Sequence, residues 1–245
     1  MNGFKTLTYE KRDGIAYVTL NRPQALNVYN VRMRDDLYEV LGAIRDDSEV
    51  RVAIFQGAGE KAFCAGADLS EFLTAPSPVI ARQVRFDRDV WGLFLSIRQP
   101  LIAALHGYVL GSGIEIALCC DIRIASDDAS FGLPEVGLGI IPAAGGTQTL
   151  PRSIGRSRAL DMLFTNRWIN AEEAYEFHLV NRVVPRDKLM QTSEEMAVKI
   201  ASHHPTAVRY AKQAVAMGSD LTLAEGLDLE KRLATQLEAI KEKES

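Results

Sequence analysis

Two glutamates, Glu115 and Glu135, stand twenty residues apart in settings where a lone charge is unwelcome. Glu115 falls between Ile114 and Ile116 in a run that continues through Ala117, Leu118, Cys119 and Cys120, and Glu135 follows Phe131-Gly-Leu-Pro and precedes Val136-Gly-Leu-Gly-Ile-Ile. Apolar surroundings disfavour the ionised form of a carboxylate, which makes both residues candidates for acid/base work. The glycines around them, Gly107, Gly111, Gly113, Gly137, Gly139, Gly145 and Gly146, point to tight backbone turns and close approach of main chain to a ligand. Other constellations carry less. His106, Ser112 and Asp121 could form a hydrolytic triad, but no GxSxG turn accompanies them. His178, His203 and His204 lack the spacing of a metal site. Gly57, Gly59 and Ala62 match a loose GxGxxA after a strand, yet no helix opens there and Asp68 comes too early to hold a ribose; GxxxxGK[ST] is absent.

These residues must be held by regular elements. Ile15 to Leu20 reads as a strand closed by Asn21-Arg-Pro23, and Met33, Leu37, Val40, Leu41 and Ile44 recur at helical spacing. Val50 to Gln56 and Leu101 to Leu105 read as buried strands. Between them, residues 69 to 99 hold a loop at 74 to 78 and a helix carrying Val84, Trp91, Phe94, Leu95 and Ile97, with Arg82, Arg85 and Arg88 forming a solvated basic stripe. A short buried helix from Ser112 to Cys120 should direct its unpaired first amides at whatever precedes it. Ile122 to Ala125 is the next strand, and from Ser153 the pattern turns helical over 158 to 164 and 171 to 177. Leu179 to Val184 is a last strand; an amphipathic helix over 187 to 217 breaks at His203-His-Pro205, and a final helix starts at Leu221. The change near 186 predicts an α/β core over 1–186 and a helical region over 187–245.

Composition narrows the class. At 245 residues, 47% hydrophobic and 24% charged, the chain can bury a full core without disulfides or metal. A net charge of −4 gives no footprint for nucleic acid or an anionic membrane. Cys64, Cys119 and Cys120 form no CxxC pair and read as small buried hydrophobes in a reducing compartment. The N-terminus lacks the apolar region of a signal peptide, and no run approaches the length of a membrane span, so a cytoplasmic location is the expectation.

Several long segments together are similar to one known family. AYVTLNRPQALN (16 to 27), KAFCAGADL (61 to 69), HGYVLGSGIEIALCCDIRIAS (106 to 126), FGLPEVGLGIIPAAGGTQTLPRSIG (131 to 155), INAEEAYEFHLVNRVVP (169 to 185) and HPTAVRYAKQAV (204 to 215) resemble, in order and spacing, the crotonase or enoyl-CoA hydratase/isomerase superfamily. The resemblance implies a spiral of ββα units with a C-terminal helical region that serves oligomerisation, and a homotrimer or dimer of trimers. It also implies an acyl-CoA thioester as substrate, with coenzyme A part of that substrate and no metal or further cofactor.

Carried over residue by residue, the backbone amides of Ala67 and Ser112 would form the oxyanion hole. Ala65, Asp68, Leu69, Gly111 and Ala143 would bind substrate, although Asp68, like Asp121, also matches a structural position of the family. Glu115 would activate water and Glu135 would protonate the α-carbon in reversible syn hydration of a 2-enoyl-CoA. An enoyl-CoA isomerase, a cyclic dienoyl-CoA hydratase, a ring-opening hydrolase and an RNA-associated binding protein are the alternatives, the last disfavoured by the acidic charge. Three features depart from the pattern: Ser70 replaces a lysine, Ala143 replaces a glycine, and the chain ends at Ser245 before the family's usual aromatic tail, which leaves the cover of the adenine end of CoA open. Phe72, Leu73, Phe86, Trp91 and Phe94 are expected to shape the acyl pocket.

Overall fold

The structure, a computed structural model, describes residues 3–74 and 87–244. Its main sheet begins with an antiparallel hairpin, β1 (Leu7–Arg12) and β2 (Ile15–Leu20). Sequence pattern does not flag β1, because its second half, Glu10, Lys11 and Arg12, is charged and exposed at the sheet edge. From β2 the chain passes through helix α1 (Val31–Asp46), whose first turn is capped by Asn30 accepting from Met33 N at 2.8 Å. It then adds β3 (Val52–Gly57), β5 (Leu101–Leu105), β7 (Ile122–Ser126) and β10 (Arg182–Val184), all parallel, in the order β1-β2-β3-β5-β7-β10.

Both faces of this sheet are covered, which is why its strands read as unbroken apolar runs. On one face Phe55 meets Phe94 of α3 (Val90–Ser96), with ring centroids 5.2 Å apart. On the other, Ile15, Val52, Ile54 and Ile102 pack with Leu189 and Ala197 of α8 (Leu189–Ala201). The first helix beyond residue 186 is thus part of the core beneath the main sheet. Beyond it α9 (Pro205–Gly218) and α10 (Leu223–Glu244) pack on each other, and Lys212 of α9 donates to Asp121 Oδ2 at 2.7 Å and to Gln99 O at 3.0 Å.

A second sheet, which the sequence reading lacks, is made of β4 (Ala62–Cys64), β6 (Tyr108–Leu110), β8 (Ser130–Gly132) and β9 (Ile169–Asn170). After β3, β5 and β7 the chain crosses in turn to β4, β6 and β8, and each crossing is followed by a helix: α2 (Leu69–Thr74), α4 (Ser112–Leu118) and α5 (Gly146–Ile154). Three turns of a ββα spiral result, the fold class the resemblance implies. Helix α5 begins seven residues before the predicted helical stretch, its start hidden by the Gly145-Gly146 pair and by Pro151 inside it. It is followed by α6 (Arg156–Thr165) and α7 (Ala171–Glu176). The predicted strand 179–184 shortens to β10, Leu179 and Val180 being buried in the preceding loop.

Arg82, Arg85, Val84 and Phe86 lie outside the described residues. Arg88 precedes α3 and is held by Glu39 at 2.6 Å and Asp35 at 3.5 Å, so it belongs to an ion-paired surface. Among the described residues no helix is long and apolar enough to cross a membrane.

Candidate active site

The end of β4 and the end of β6 deliver two main-chain segments to one place. In the first, Ala65 N donates to Leu26 O at 3.0 Å, Tyr29 N to Gly66 O at 2.8 Å and Asp68 N to Tyr29 O at 2.8 Å. This parallel bridge uses the groups on either side of Ala67 and leaves the Ala67 N–H directed away from Tyr29. The segment is braced from below by Asn27, which is fully buried at positive φ and donates to Ala58 O and Ala62 O while accepting from Arg22 N. Arg22 in turn holds Asp68 Oδ2 at 3.0 Å, and Ser70 occupies Oδ1. The Asp68 carboxylate is therefore engaged by Arg22 and Ser70 beside the site.

In the second segment β6 is followed by Gly111, whose N donates to Gly132 O at 2.9 Å and whose φ of 50° and ψ of −119° suit glycine alone. Helix α4 starts at the next residue, so the Ser112 amide is one of the unpaired donors of a helix N-terminus. Gly113 lets that first turn sit directly on β4: a Cβ there would lie 2.2 Å from Cys64 O. A Cβ on Gly111 would lie 3.3 Å from Gly66 Cα and 2.9 Å from Glu135 Oε1. Residues 66–67, residues 111–112 and the Glu135 carboxylate are thus immediate neighbours, although 46 residues of sequence separate Gly66 from Ser112.

The two carboxylates differ in how they are held. Glu115, on α4, is 3% exposed, and its Oε1 accepts from Ala144 N at 2.9 Å and Gly146 N at 3.0 Å. Burial raises its pKa while those two amides oppose the rise. Glu135, half-buried in the turn after β8, has an Oε2 that is buried without a hydrogen-bond partner. Loss of solvent, supplemented by the nearby Glu115 charge and opposed by its own backbone amide, pushes its pKa to about 7. One carboxyl has an oxygen fixed by two backbone amides; the other keeps a buried oxygen without a partner and is pushed toward holding its proton near neutrality.

The remaining expected residues scatter around this centre. Leu69 opens α2 and is 47% exposed, and Ala143 is exposed in the turn leading to α5, one residue before the amide that binds Glu115. Phe94, expected in the acyl pocket, is instead fully buried against Phe55, because its side of α3 faces the sheet. Trp91, on the same helix, packs on Tyr29 with centroids 5.6 Å apart. The side chains of Phe72, Leu73 and Phe86 lie outside the described residues. His106 is buried with its pKa lowered to about 4 by lost solvent and by Arg186, and Asp121 is taken by Lys212 and Leu101 N, so no triad forms with Ser112. His204 caps α9, and Gly57-Ala-Gly59 leads into β4, not a helix. Sequence reasoning missed the Ala144 and Gly146 amides and the Asn27 brace; the second glycine of PAAGGT and the asparagine of NRPxxxN were the available signals.

The enoyl-CoA hydratase/isomerase family model matches residues 10–245. The short-chain-enoyl-CoA hydratase of Clostridium acetobutylicum is 44% identical over 95% of this chain and 87% of its own length. The (E)-benzylidenesuccinyl-CoA hydratase of Thauera aromatica is 41% identical over 90% and 86% respectively. Among solved structures, an enoyl-CoA hydratase from Bacillus anthracis superposes with a TM-score of 0.90 at 40% identity, covering 98% of this chain and 97% of that one. Family match, sequence identity and fold agree: the chain belongs to the enoyl-CoA hydratase/isomerase, or crotonase, family of enzymes.

Proposed function

We propose that this enzyme catalyses reversible syn hydration of a 2-enoyl-CoA to a 3-hydroxyacyl-CoA. The observation that carries the reading is the asymmetry of the two carboxylates: Glu115 Oε1 accepts from two backbone amides, whereas Glu135 Oε2 is buried without a partner. Glu115, its Oε1 fixed by the amides of Ala144 and Gly146, is the group oriented to take a proton from water. Glu135, near its own pKa at neutral pH, is the group able to deliver a proton to the α-carbon. In dehydration the roles exchange. The thioester oxygen, which gains charge as water adds to the β-carbon, would lie between the amides of Ala67 and Ser112; the helix-terminal position of Ser112 adds a favourable partial charge. Ala65, Leu69, Gly111 and Ala143 would border the substrate. No step of this scheme calls for a metal or redox group.

The acyl group is open, since the named relatives act on chemically different enoyl-CoAs. A trimeric or hexameric assembly belongs to the same reading, supported by the exposed apolar side chains Val215, Leu223 and Leu227 of α9 and α10. The test is crotonyl-CoA hydration by wild type, Glu115→Gln and Glu135→Gln, followed as loss of the conjugated thioester absorbance and by product chromatography. Each substitution should cost about 100- to 10,000-fold in kcat. Wild-type turnover in either variant refutes the scheme, and a shifted double bond without added water would favour the isomerase alternative.

A further inference from the structure

The loop that carries Glu135 is bracketed by two residues of one linker. Asn166 and Trp168 lie between α6 and β9, and they meet the Glu135 loop at Gly137 and Gly132, on either side of the glutamate. Gly137 N donates to Asn166 Oδ1 at 3.2 Å, and the carboxamide lies so close that a Cβ on Gly137 would fall 2.5 Å from Asn166 Nδ2. Trp168 covers Gly132 in the same way: a Cβ there would fall 2.5 Å from the indole Cδ1. Gly132 is also the residue whose carbonyl receives Gly111 N, so the indole backs the strand end that sets the turn into α4.

The linker is itself anchored. Asn166 has a φ of 54°, a left-handed conformation that asparagine tolerates better than most residues, and ends α6. Arg167, between the two contact residues, points back to the helices, donating to Asp161 Oδ2 at 2.6 Å and to Glu173 Oε1 at 2.9 Å. Beyond Trp168, Ile169 pairs with Phe131 and Asn170 with Ser130, which extends the register to Trp168 opposite Gly132. Asn170 and Glu173 close a capping box at the start of α7. Neither Asn166 nor Trp168 reaches the reacting atoms in the proposed scheme.

We infer that Asn166 and Trp168 are positioning residues that clamp the Glu135 loop from both sides and hold its carboxyl in the water-poor place where it can act as proton donor. The inference rests on the proposed hydratase reading. Among the described residues the outside charge that bears on Glu135 is that of Glu115, while Asp161, Arg167 and Glu173 are paired with one another. Loosening the clamp should therefore admit water to Glu135 and let its proton go at lower pH, with little effect on how CoA is held.

The experiment compares full-length Asn166→Gly, Asn166→Asp, Trp168→Ala and Glu135→Gln with wild type in crotonyl-CoA hydration across pH, with thermal melts in parallel. Asn166→Gly keeps the left-handed backbone and removes only the carboxamide. Its kcat should fall on the order of tenfold with KM changed by less than about twofold. The alkaline limb of its kcat profile should move down by about half a pH unit or more. Trp168→Ala should shift the same way. Asn166→Asp, which keeps the acceptor for Gly137 N, should recover kcat to within about threefold of wild type. Folded Asn166→Gly and Trp168→Ala enzymes with wild-type kcat and an unmoved alkaline limb, alongside an inactive Glu135→Gln, would overturn the clamp alone. A lowered melting temperature without any change in the pH profile would do the same, reducing the linker to a structural brace. If Glu135→Gln itself turns over normally, the hydratase reading falls and the clamp with it.

Discussion

Glu135→Gln should make the protein more stable as the pH rises, relative to wild type. The folded-state pKa of about 7, against an ordinary 4.5, means that the folded protein binds this proton more tightly than the unfolded chain does. Its contribution to stability is fully present below about pH 4.5 and is lost as the pH climbs through about 7, where the folded state must carry a poorly solvated charge. At about 1.4 kcal/mol per pK unit the shift corresponds to an upper value near 3.4 kcal/mol; for a half-buried group about 2 to 3 kcal/mol is the reasonable figure. Glutamine has no such titration. The stability difference between variant and wild type, from urea unfolding at fixed protomer concentration, should therefore grow by about 1 to 2 kcal/mol between about pH 5 and about pH 9, the rest of the loss falling below about pH 5. The added amide N–H beside the unpartnered Oε2 position introduces a constant offset, which cancels in the change with pH. Parallel stability curves for the two proteins would show that Glu135 is not held out of water, and the assignment of its proton would lose its physical basis.

Gly111→Ala should cost about 100-fold or more in kcat, because its Cβ would both strain a glycine-only turn and collide with Glu135 Oε1; steady-state kinetics on the folded variant reads this. The three cysteines are buried, with the thiols of Cys64 and Cys119 pushed up to about 12 and that of Cys120 raised well above its usual value, so a thiol reagent at mildly alkaline pH should label none in the native protein and all three after denaturation. Lys212→Met should lower the unfolding free energy by about 1 to 2 kcal/mol by freeing α9 from Asp121 and Gln99, measured by denaturant titration, with crotonyl-CoA turnover per folded enzyme within about twofold.

Much of this protein is legible in one dimension. Strands β2, β3, β5 and β7 are announced by apolar, β-branched runs because both faces of the main sheet are covered, and α1 and α8 to α10 by their spacing. Glu115 and Glu135 stand out because a carboxylate among isoleucines, leucines and glycines contradicts its local environment. The second sheet was invisible, since β4, β6 and β8 are three residues each and too short to show alternation. Phe94 was misplaced because helical spacing says which residues share a face and not what that face meets. Sequence by itself determined the family, the spiral and the identity of the two carboxylates. Tertiary structure alone decided that Gly66, Gly111 and Glu135 touch, and that one carboxylate oxygen receives two amides while the other glutamate keeps an orphan oxygen. A pKa depends on the solvent and dipoles within a few ångströms, and those are supplied here by loops from distant parts of the chain.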